Sequence, residues 1–489
     1  MPRHVTPPGQ PGTQPRKITI DPLTRLEGHA RVEVDINGPT AHETQARFQV
    51  MEFRGWETFT KGMPVEELPA FMARICGTCS VAHHMASVRT VDKIFGLTPP
   101  PAAQLQRRAL HMAGFIHSHA VHLFALAGPD LFLQRPEGGA IALSQRHLLR
   151  LLEEAPGVAG DALKLRERAA KFLTILGGRS IHPVTCVPGG MAAPVLPEKK
   201  EELIKLAETC RSLALSLAQR MELVLQHPPP HLDDPVEETP YLGLTDGGHF
   251  ELFQGNLRLR SSLKRDEDVD FPHEEGWRGR IFEQVLAHSM AKEVYFRPRE
   301  GEKVFYRVGP LARINCCDEV DTPEAGVRLK AFKEANQLCH RTVLYHHARL
   351  IELIYAAEKL QSLVHSGQFF GDEVRQPAIN RTVENRTASA IVEAPRGVLI
   401  HDYTVDGAGL VTHMNLVVAT QHNLWAINET IKSSVLRHLD DPDEVLLDAV
   451  EFGVRCYDPC LSCATHRLGE MKMEMVVRRD GKVIRQIRR

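Results

Sequence analysis

Two matching dithiol motifs stand near the two ends of this chain. The first reads Arg74-Ile75-Cys76-Gly77-Thr78-Cys79, with His83 beyond it; the second reads Asp458-Pro459-Cys460-Leu461-Ser462-Cys463, with His466 beyond it. Residues 80–459 lie between the pairs, so they meet only if the whole fold brings them together. Four thiolates at one point suit a soft metal ion. One Cys-x-x-Cys alone has blander readings: a zinc knuckle, a redox dithiol or two buried thiols. Two of them favour a metal. A structural zinc site usually collects its pairs within tens of residues, and this separation would staple a loop inefficiently.

The elements that must carry the motifs follow from hydrophobic periodicity. Residues 17–36 alternate apolar and polar around Gly28, as strands do, and Gln49 to Phe53 reads as a further strand. From Val65 to Phe95 the pattern is helical and carries the first cysteine pair. Residues 102–127 are rich in Ala, Leu and His at helical spacing. Residues 197–226 predict a long helix, opening at Pro197 with Glu and Lys after it. A second long helix is expected over 323–366, and others over 421–438 and 441–455. Residues 228–320 are mixed, with short strands. In the tail, Val476-Val477 and Val483-Ile484 flank Asp480-Gly481, a hairpin pattern. The expected fold class is mainly α with a smaller antiparallel β part, built on long central helices.

The chain has 489 residues, 43% hydrophobic and 25% charged, with a formal net charge of -2. That is ordinary globular composition, with no basic field for nucleic acid or an anionic membrane. Its 10 cysteines are too sparse for a disulfide-stapled secreted domain. No apolar run reaches membrane-spanning length. Residues 1–16 read as a disordered lead, without an apolar signal core or a twin-Arg pair. The expectation is a cytoplasmic protein, with export on a partner's signal as the one reservation.

Six elements stand in order along nearly the whole chain. They are Asp21-Pro-Leu-Thr-Arg25-Leu-Glu27-Gly-His29, Phe53-Arg-Gly-Trp-Glu57, the Cys76 motif with His83, Glu393-Ala-Pro-Arg396-Gly, Asn415-Leu-Val-Val-Ala-Thr420, and the Cys460 motif with His466. Together they resemble the large, catalytic subunit of the nickel–iron hydrogenases. Tyr306-Arg-Val-Gly-Pro-Leu-Ala-Arg313 and the ending Val418-Ala419-Thr420 are similar to the cytosolic, cofactor-reducing branch, above all its NAD-reducing and NADP-linked members.

The resemblance implies a site residue by residue. Cys76 and Cys460 would be terminal nickel ligands, and Cys79 and Cys463 would bridge nickel to an iron carrying CO and cyanide. Cys460 would be the first proton acceptor, and Glu27 would pass the proton on, since a carboxyl in a buried site can hold a raised pKa. Without the resemblance, Glu27 reads as an acid paired with Arg25. Arg396 would donate to one cyanide and the Thr420 hydroxyl to the other. By themselves they read as a structural arginine and as a helix N-cap before the run at Gln421. Asp130, placed by its spacing from His122, would hydrogen-bond Arg396. His83 would donate to a thiolate sulfur. Glu57, His466 and the Leu416 carbonyl would hold a separate Mg2+ or Fe2+, an oxygen-rich set that suits Mg2+. His117, His119 and His122 resemble a metal spacing but are explained by core packing. Met72, Met85 and Met112 read as core, and Cys186, Cys210, Cys339 and Cys456 as small buried hydrophobes.

Residues 17–466 would then be one intertwined hydrogenase domain, and 467–489 an extension removed on maturation. That tail holds eight basic and three acidic residues. His466 is followed by Arg467, where the family usually has a small or apolar residue at the cut. No Gly-x-Gly-x-x-Gly follows a predicted strand and no ferredoxin-like cysteine run occurs, so neither a nucleotide nor an iron–sulfur cluster is expected in this chain. Expected partners are a maturation protease, nickel-insertion factors, a diaphorase-type NAD(P)/flavin module and an iron–sulfur small subunit. The implied function is reversible heterolytic cleavage of H2, with electrons passed on to NAD(P). Two other readings stay open: an H2-sensing protein of the same fold, against which the tail speaks, and a deazaflavin- or ferredoxin-linked enzyme. Non-catalytic relatives lack the four thiolates, and a structural zinc protein leaves Glu27, Glu57 and Arg396 unexplained.

Overall fold

A helix apolar on every side belongs in the middle of a structure. The run after Pro100 comes close to one in its second half, where three histidines and a serine are the polar members. Helix α1 (Ser80–Ile94) leads into α2 (Pro101–Val121), and every α2 residue from Ala109 to Ala120 is buried. Pro101 opens α2 at a position where its missing N–H is no loss. Helices α3 (Pro156–Gly177), α4 (Lys200–Leu225) and α5 (Leu344–Val364) close around it. α2 packs on α1, α3 and α5, and α4 packs on α3 and α5. In α4 the buried Leu203, Ala207, Cys210, Ala214, Leu217 and Met221 recur three or four apart, one apolar stripe turned inward. The computed structural model describes residues 16–36, 44–53, 55–133, 141–228, 230–232, 238–261, 268–271, 273–336, 340–376 and 383–464, and the backbone of 474–479 and 482–488.

Strands β1 (Arg16–Ile20), β2 (Ala30–Ile36) and β3 (Thr44–Val50) form an antiparallel sheet in that order, with Val32 opposite Phe48. A second sheet, β4 (Thr387–Ala394), β5 (Gly397–Val405) and β6 (Val411–Val417), lays β4 and β5 against α1. Tyr241–Asp246 centres a four-stranded sheet with His249–Phe250, Asn256–Arg260 and Val269–Asp270. Helix α6 (Asp443–Cys456) delivers the second cysteine motif. The tail hairpin is present, Glu474–Arg479 against Lys482–Arg488. Every described strand ladder is antiparallel, so the mainly helical fold with a smaller antiparallel part is what the chain forms. Among the described residues no helix is long and apolar enough to cross a membrane.

Local structure departs from periodicity in four places. The alternation over 17–36 is interrupted: residues 21–29 leave the sheet, turned by Arg25 (φ 56°) and Gly28 (φ 85°). The third strand is Thr44–Val50 rather than Gln49–Phe53, because pairing with β2 sets its extent. The first cysteine pair does not ride on a helix. Leu68–Met72 and the 3-10 turn Ala73–Ile75 end at an extended Cys76, and α1 begins after Cys79. The helix expected over 323–366 is two, Pro323–Ala335 and α5. Asn336 leaves helical geometry, and its side-chain amide donates to the Phe332 carbonyl at 3.1 Å, closing the first helix.

Candidate metal centre

The loop 21–29 and the turn after α6 run side by side. Leu461 N donates to Glu27 O at 3.2 Å, and Glu27 and Cys460 form a parallel bridge. Beside them, Cys79 N donates to Cys76 Sγ at 3.4 Å, which uses the sulfur to satisfy a backbone donor at the start of α1. The two motifs meet there. Cys76 Sγ lies 3.1 Å from Cys460 Sγ, and Cys463 Sγ lies 3.0 Å from both Cys79 Sγ and Cys460 Sγ. All four sulfurs fall within 4.8 Å of one another. Burial raises a thiol, yet the bonds from Cys460, Cys463 and Cys79 outweigh it at Cys76 and hold that thiol well below its usual range. At Cys460, burial and the bonds with Cys463, Cys76 and Cys79 push the other way and raise that thiol. Cys460 Sγ donates to Glu27 Oε2 at 3.1 Å, and Ser462 N donates to the same oxygen at 3.1 Å.

Arg396 is buried beside the sulfurs. Burial opposes its charge, but Asp458 and the thiols of Cys460, Cys79 and Cys76 hold it protonated. Its Nη2 donates to Asp458 Oδ1 at 2.9 Å, while its buried Nε and Nη1 have no hydrogen-bond partner among the described residues. Two orphaned donors beside four sulfurs fit a metal centre that carries acceptor ligands of its own. A small cavity next to Cys79, lined by Val81, Gly114, Phe115 and Pro395, leaves apolar room at the same place. Asp458 is kept well below the usual carboxylate range: burial raises it, and Arg396, His122 and Arg349 outweigh that.

Several sequence-predicted residues meet the cluster. His83 Nε2 lies 3.3 Å from Cys463 Sγ, and burial lowers the ring to about 4, so it is neutral at pH 7. Thr420 sits inside the helix Ala419–His422 rather than capping it, because that helix starts two residues earlier than periodicity suggests. Its Oγ1 accepts from Cys460 N at 2.9 Å, which leaves its own proton to donate. Glu57 is buried in the short helix Trp56–Phe59, which packs on β6, the strand of Leu416. His466 lies outside the described residues.

Two pairings are corrected. Asp130 does not hold Arg396; it binds Arg25 and Arg455, because its short helix Gly128–Phe132 faces loop 21–29 and α6. Asp458, turned at φ 52°, holds Arg396 instead. Glu27 is accordingly not the partner of Arg25. Sequence reasoning also passed over His401, whose Nε2 lies 3.0 Å from His83 Nδ1, and Tyr403, whose hydroxyl lies 2.6 Å from His401 Nδ1. Their spacing by two on a strand was the available signal. His117, His119 and His122 are core residues as expected; His119 Nε2 contacts Glu352 at 3.0 Å. Cys186, Cys210 and Cys456 are buried, and Cys339 lies outside the described residues.

Known proteins are similar to this chain in sequence and fold. The family described as nickel-dependent hydrogenase matches residues 54–132, and the one described as HoxL-like matches residues 17–53. The F420-non-reducing hydrogenase vhc of Methanococcus voltae contains a polypeptide 33% identical to this one, over 96% of this chain and 100% of its own length. The NAD-reducing hydrogenase HoxS subunit beta of Cupriavidus necator is 31% identical over 94% of this chain and 97% of its own. The crystal structure of an NAD+-reducing [NiFe]-hydrogenase in the H2-reduced state superposes with a TM-score of 0.85 at 32% identity, covering 92% of this chain and 99% of that one. The chain belongs to the large-subunit family of the nickel-dependent hydrogenases, which are oxidoreductases of H2.

Proposed function

We propose that this chain splits H2 heterolytically and reversibly at a Ni-Fe(CO)(CN)2 centre, and that its electrons leave through an iron–sulfur small subunit toward NAD(P). The observation that carries the reading is the four-sulfur cluster with an acid on Cys460 and a cation with two orphaned donors beside it. Cys76 and Cys460 are assigned to nickel, and Cys79 and Cys463 to both metals. Bound nickel and iron would supply the centre that polarises and cleaves H2. The chain supplies the rest. Cys460 Sγ takes the proton, and Glu27 Oε2 receives it across 3.1 Å. Arg396 and the Thr420 hydroxyl donate to the iron ligands, and His83 donates to the Cys463 sulfur. Asp458 takes over the anchoring of Arg396 that Asp130 was expected to give. Glu57, the Leu416 carbonyl and His466 are assigned to a separate Mg2+ or Fe2+.

The NAD(P) linkage is supported by the NAD-reducing relative and the NAD+-reducing structure. A second reading, an acceptor other than nicotinamide, is favoured by the F420-non-reducing relatives. Among the described residues only one cysteine cluster exists, and its ligands are spent on the proposed metals. We assign the clusters that carry electrons away to the partner protein. We assign the nicotinamide to a diaphorase-type module, the protein to the cytoplasm, residues 17–466 to a single domain, and the tail from Arg467 to a protease acting after nickel insertion.

Infrared spectroscopy with nickel and iron analysis tests the core. Bands of metal-bound CO and cyanide, with about one nickel per chain, are expected. Cys460→Ala should lose nickel and activity, while Glu27→Gln should keep both metals and lose H/D exchange. Zinc without such bands would sink the reading, and reduction of a non-nicotinamide acceptor by the purified complex, with none of NAD+ or NADP+, would favour the second.

A further inference from the structure

Three of the four sulfurs meet a nitrogen or an oxygen of the chain. Cys76 Sγ accepts from Cys79 N at 3.4 Å, Cys463 Sγ lies 3.3 Å from His83 Nε2, and Cys460 Sγ lies 3.1 Å from Glu27 Oε2. Cys79 Sγ, among the described residues, meets only sulfur: Cys463 at 3.0 Å and Cys460 at 3.8 Å. A second acceptor nearby is also unmet. His111 Nε2 lies 3.0 Å from both the Leu252 and the Glu393 carbonyl oxygens, and only an N–H suits two carbonyls. Burial lowers the ring to about 3, so it is neutral at pH 7 and Nδ1 carries a lone pair. That Nδ1 is buried and has no hydrogen-bond partner among the described residues. His111 and Cys79 wall the same small cavity where α1 and α2 meet, with room for about one water. A Cβ at Gly114 would sit 2.9 Å from Val81 Cβ, so the glycine lets α2 press on α1 and keeps the space small. Ala82, Phe115 and Pro395 are further walls, with Thr78, whose hydroxyl lies 3.4 Å from Cys76 Sγ.

We propose that this cavity is the site of one water, which donates one hydrogen bond to His111 Nδ1 and the other to Cys79 Sγ. The inference rests on the reading of Cys79 as a ligand of both metals. The two unmet groups are acceptors, so neither satisfies the other, and the occupant has to be a double donor small enough for the space. Water is such a molecule, and two polar partners are enough to hold it among apolar walls. A thiolate bound to its own carbon and to two metals keeps one lone pair, and the water meets that lone pair. A hydrogen bond there draws electron density from the sulfur and so from the metals, as the outer partners of metal ligands do. No proton is transferred. His83 stands in the matching place beside Cys463. The two sulfurs assigned to both metals are then each served by a histidine, one directly and one through water. His111 is a positioning residue in this arrangement, since it touches the water and not the metals.

The test is a high-resolution crystal structure of the intact, metal-loaded hetero-oligomer, with infrared spectra of the same preparation. Density for one water within hydrogen-bond distance of both His111 Nδ1 and Cys79 Sγ is expected. His111→Gln is the sharper variant: its amide nitrogen keeps a donor for the Leu252 and Glu393 carbonyls, and nothing replaces Nδ1. Ala82→Val fills the cavity and leaves His111 intact. Both should lose the water, retain nickel and iron, and move the CO band to lower wavenumber, because a sulfur without its donor returns electron density to the iron. A wild-type structure with no water at that place overturns the site. A water in the wild type, with the CO band unmoved in both folded and loaded variants, overturns the hydrogen bond to Cys79. A wild-type protein lacking CO and cyanide bands altogether overturns the reading of Cys79 as a ligand of both metals, and the proposal with it.

Discussion

Arg396 carries a permanent charge where water does not reach. Such a group persists only with a partner, and the partner is Asp458, two residues from a metal-binding cysteine. The same economy of partners governs His83. Its Nε2 lies against Cys463 and its Nδ1 against His401 Nε2, and His401 Nδ1 in turn meets the Tyr403 hydroxyl, which donates to Ser87 Oγ at 3.0 Å, so the tautomer of His83 is set through His401. His401 thus positions His83 without touching the cluster. His401→Leu leaves His83 Nδ1 without its hydrogen-bond partner. We expect a stability loss of about 1–3 kcal/mol, retained nickel, and shifted CO and cyanide infrared bands. Unshifted bands in a folded, loaded variant would remove His401 from this role.

At the scale of elements, Arg313 ties three pieces of chain together. It rises from the short helix Pro310–Cys316 and binds Glu352 of α5 through Nε at 2.5 Å and Nη2 at 2.6 Å. Its Nη1 binds Glu393 of β4 at 2.6 Å and donates to the Ala394 carbonyl at 2.9 Å, while Nη2 also donates to the Pro395 carbonyl at 3.1 Å. The turn that presents Arg396 is thereby fixed to the central helices. Two carboxylates share one guanidinium, and burial pushes Glu393 up to about 7 despite the opposing pull of Arg313. Arg313→Leu strands Glu352 as an uncompensated buried charge, and should cost about 3–5 kcal/mol by thermal or denaturant unfolding. Nickel retention should fall with it. An unchanged melting temperature would mean that the turn is held by its backbone alone.

At the scale of the molecule, the interior holds many neutral histidines. Burial lowers His83, His84 and His119 to about 4, and His111, His122 and His422 to about 3. In the unfolded chain each titrates near about 6.5, so between there and the folded value the unfolded state binds more protons. Their contribution is complete above the unfolded pKa and is lost as pH falls through the folded one. Each adds a slope of about 1.4 kcal/mol per pH unit in that window. Glu393 works in the opposite sense, its contribution present in acid and lost as pH rises through about 7. Six histidines outweigh one acid, so the melting temperature should drop steeply on acidification below about pH 6.5. A flat profile down to about pH 5 would show that these rings are not buried neutral.

The sequence by itself determined the cysteine quartet, the helical class with its antiparallel sheets, and the order of motifs that resembles the hydrogenases. Those are properties of residue type, spacing and period, which a linear reading can measure. Tertiary structure decided which acid holds Arg396, that Arg25 belongs to Asp130 rather than Glu27, that the first cysteine pair sits between helices, and that Ser462 meets Glu52. Asp130 and Asp458 both lie near an arginine-rich stretch of the fold, and no period distinguishes them. Ser462 and Glu52 meet only because loop 21–29 leaves its sheet to lie along the turn after α6. Partner choice among buried charges is a matter of distance and desolvation, and both arise only once remote segments have packed together.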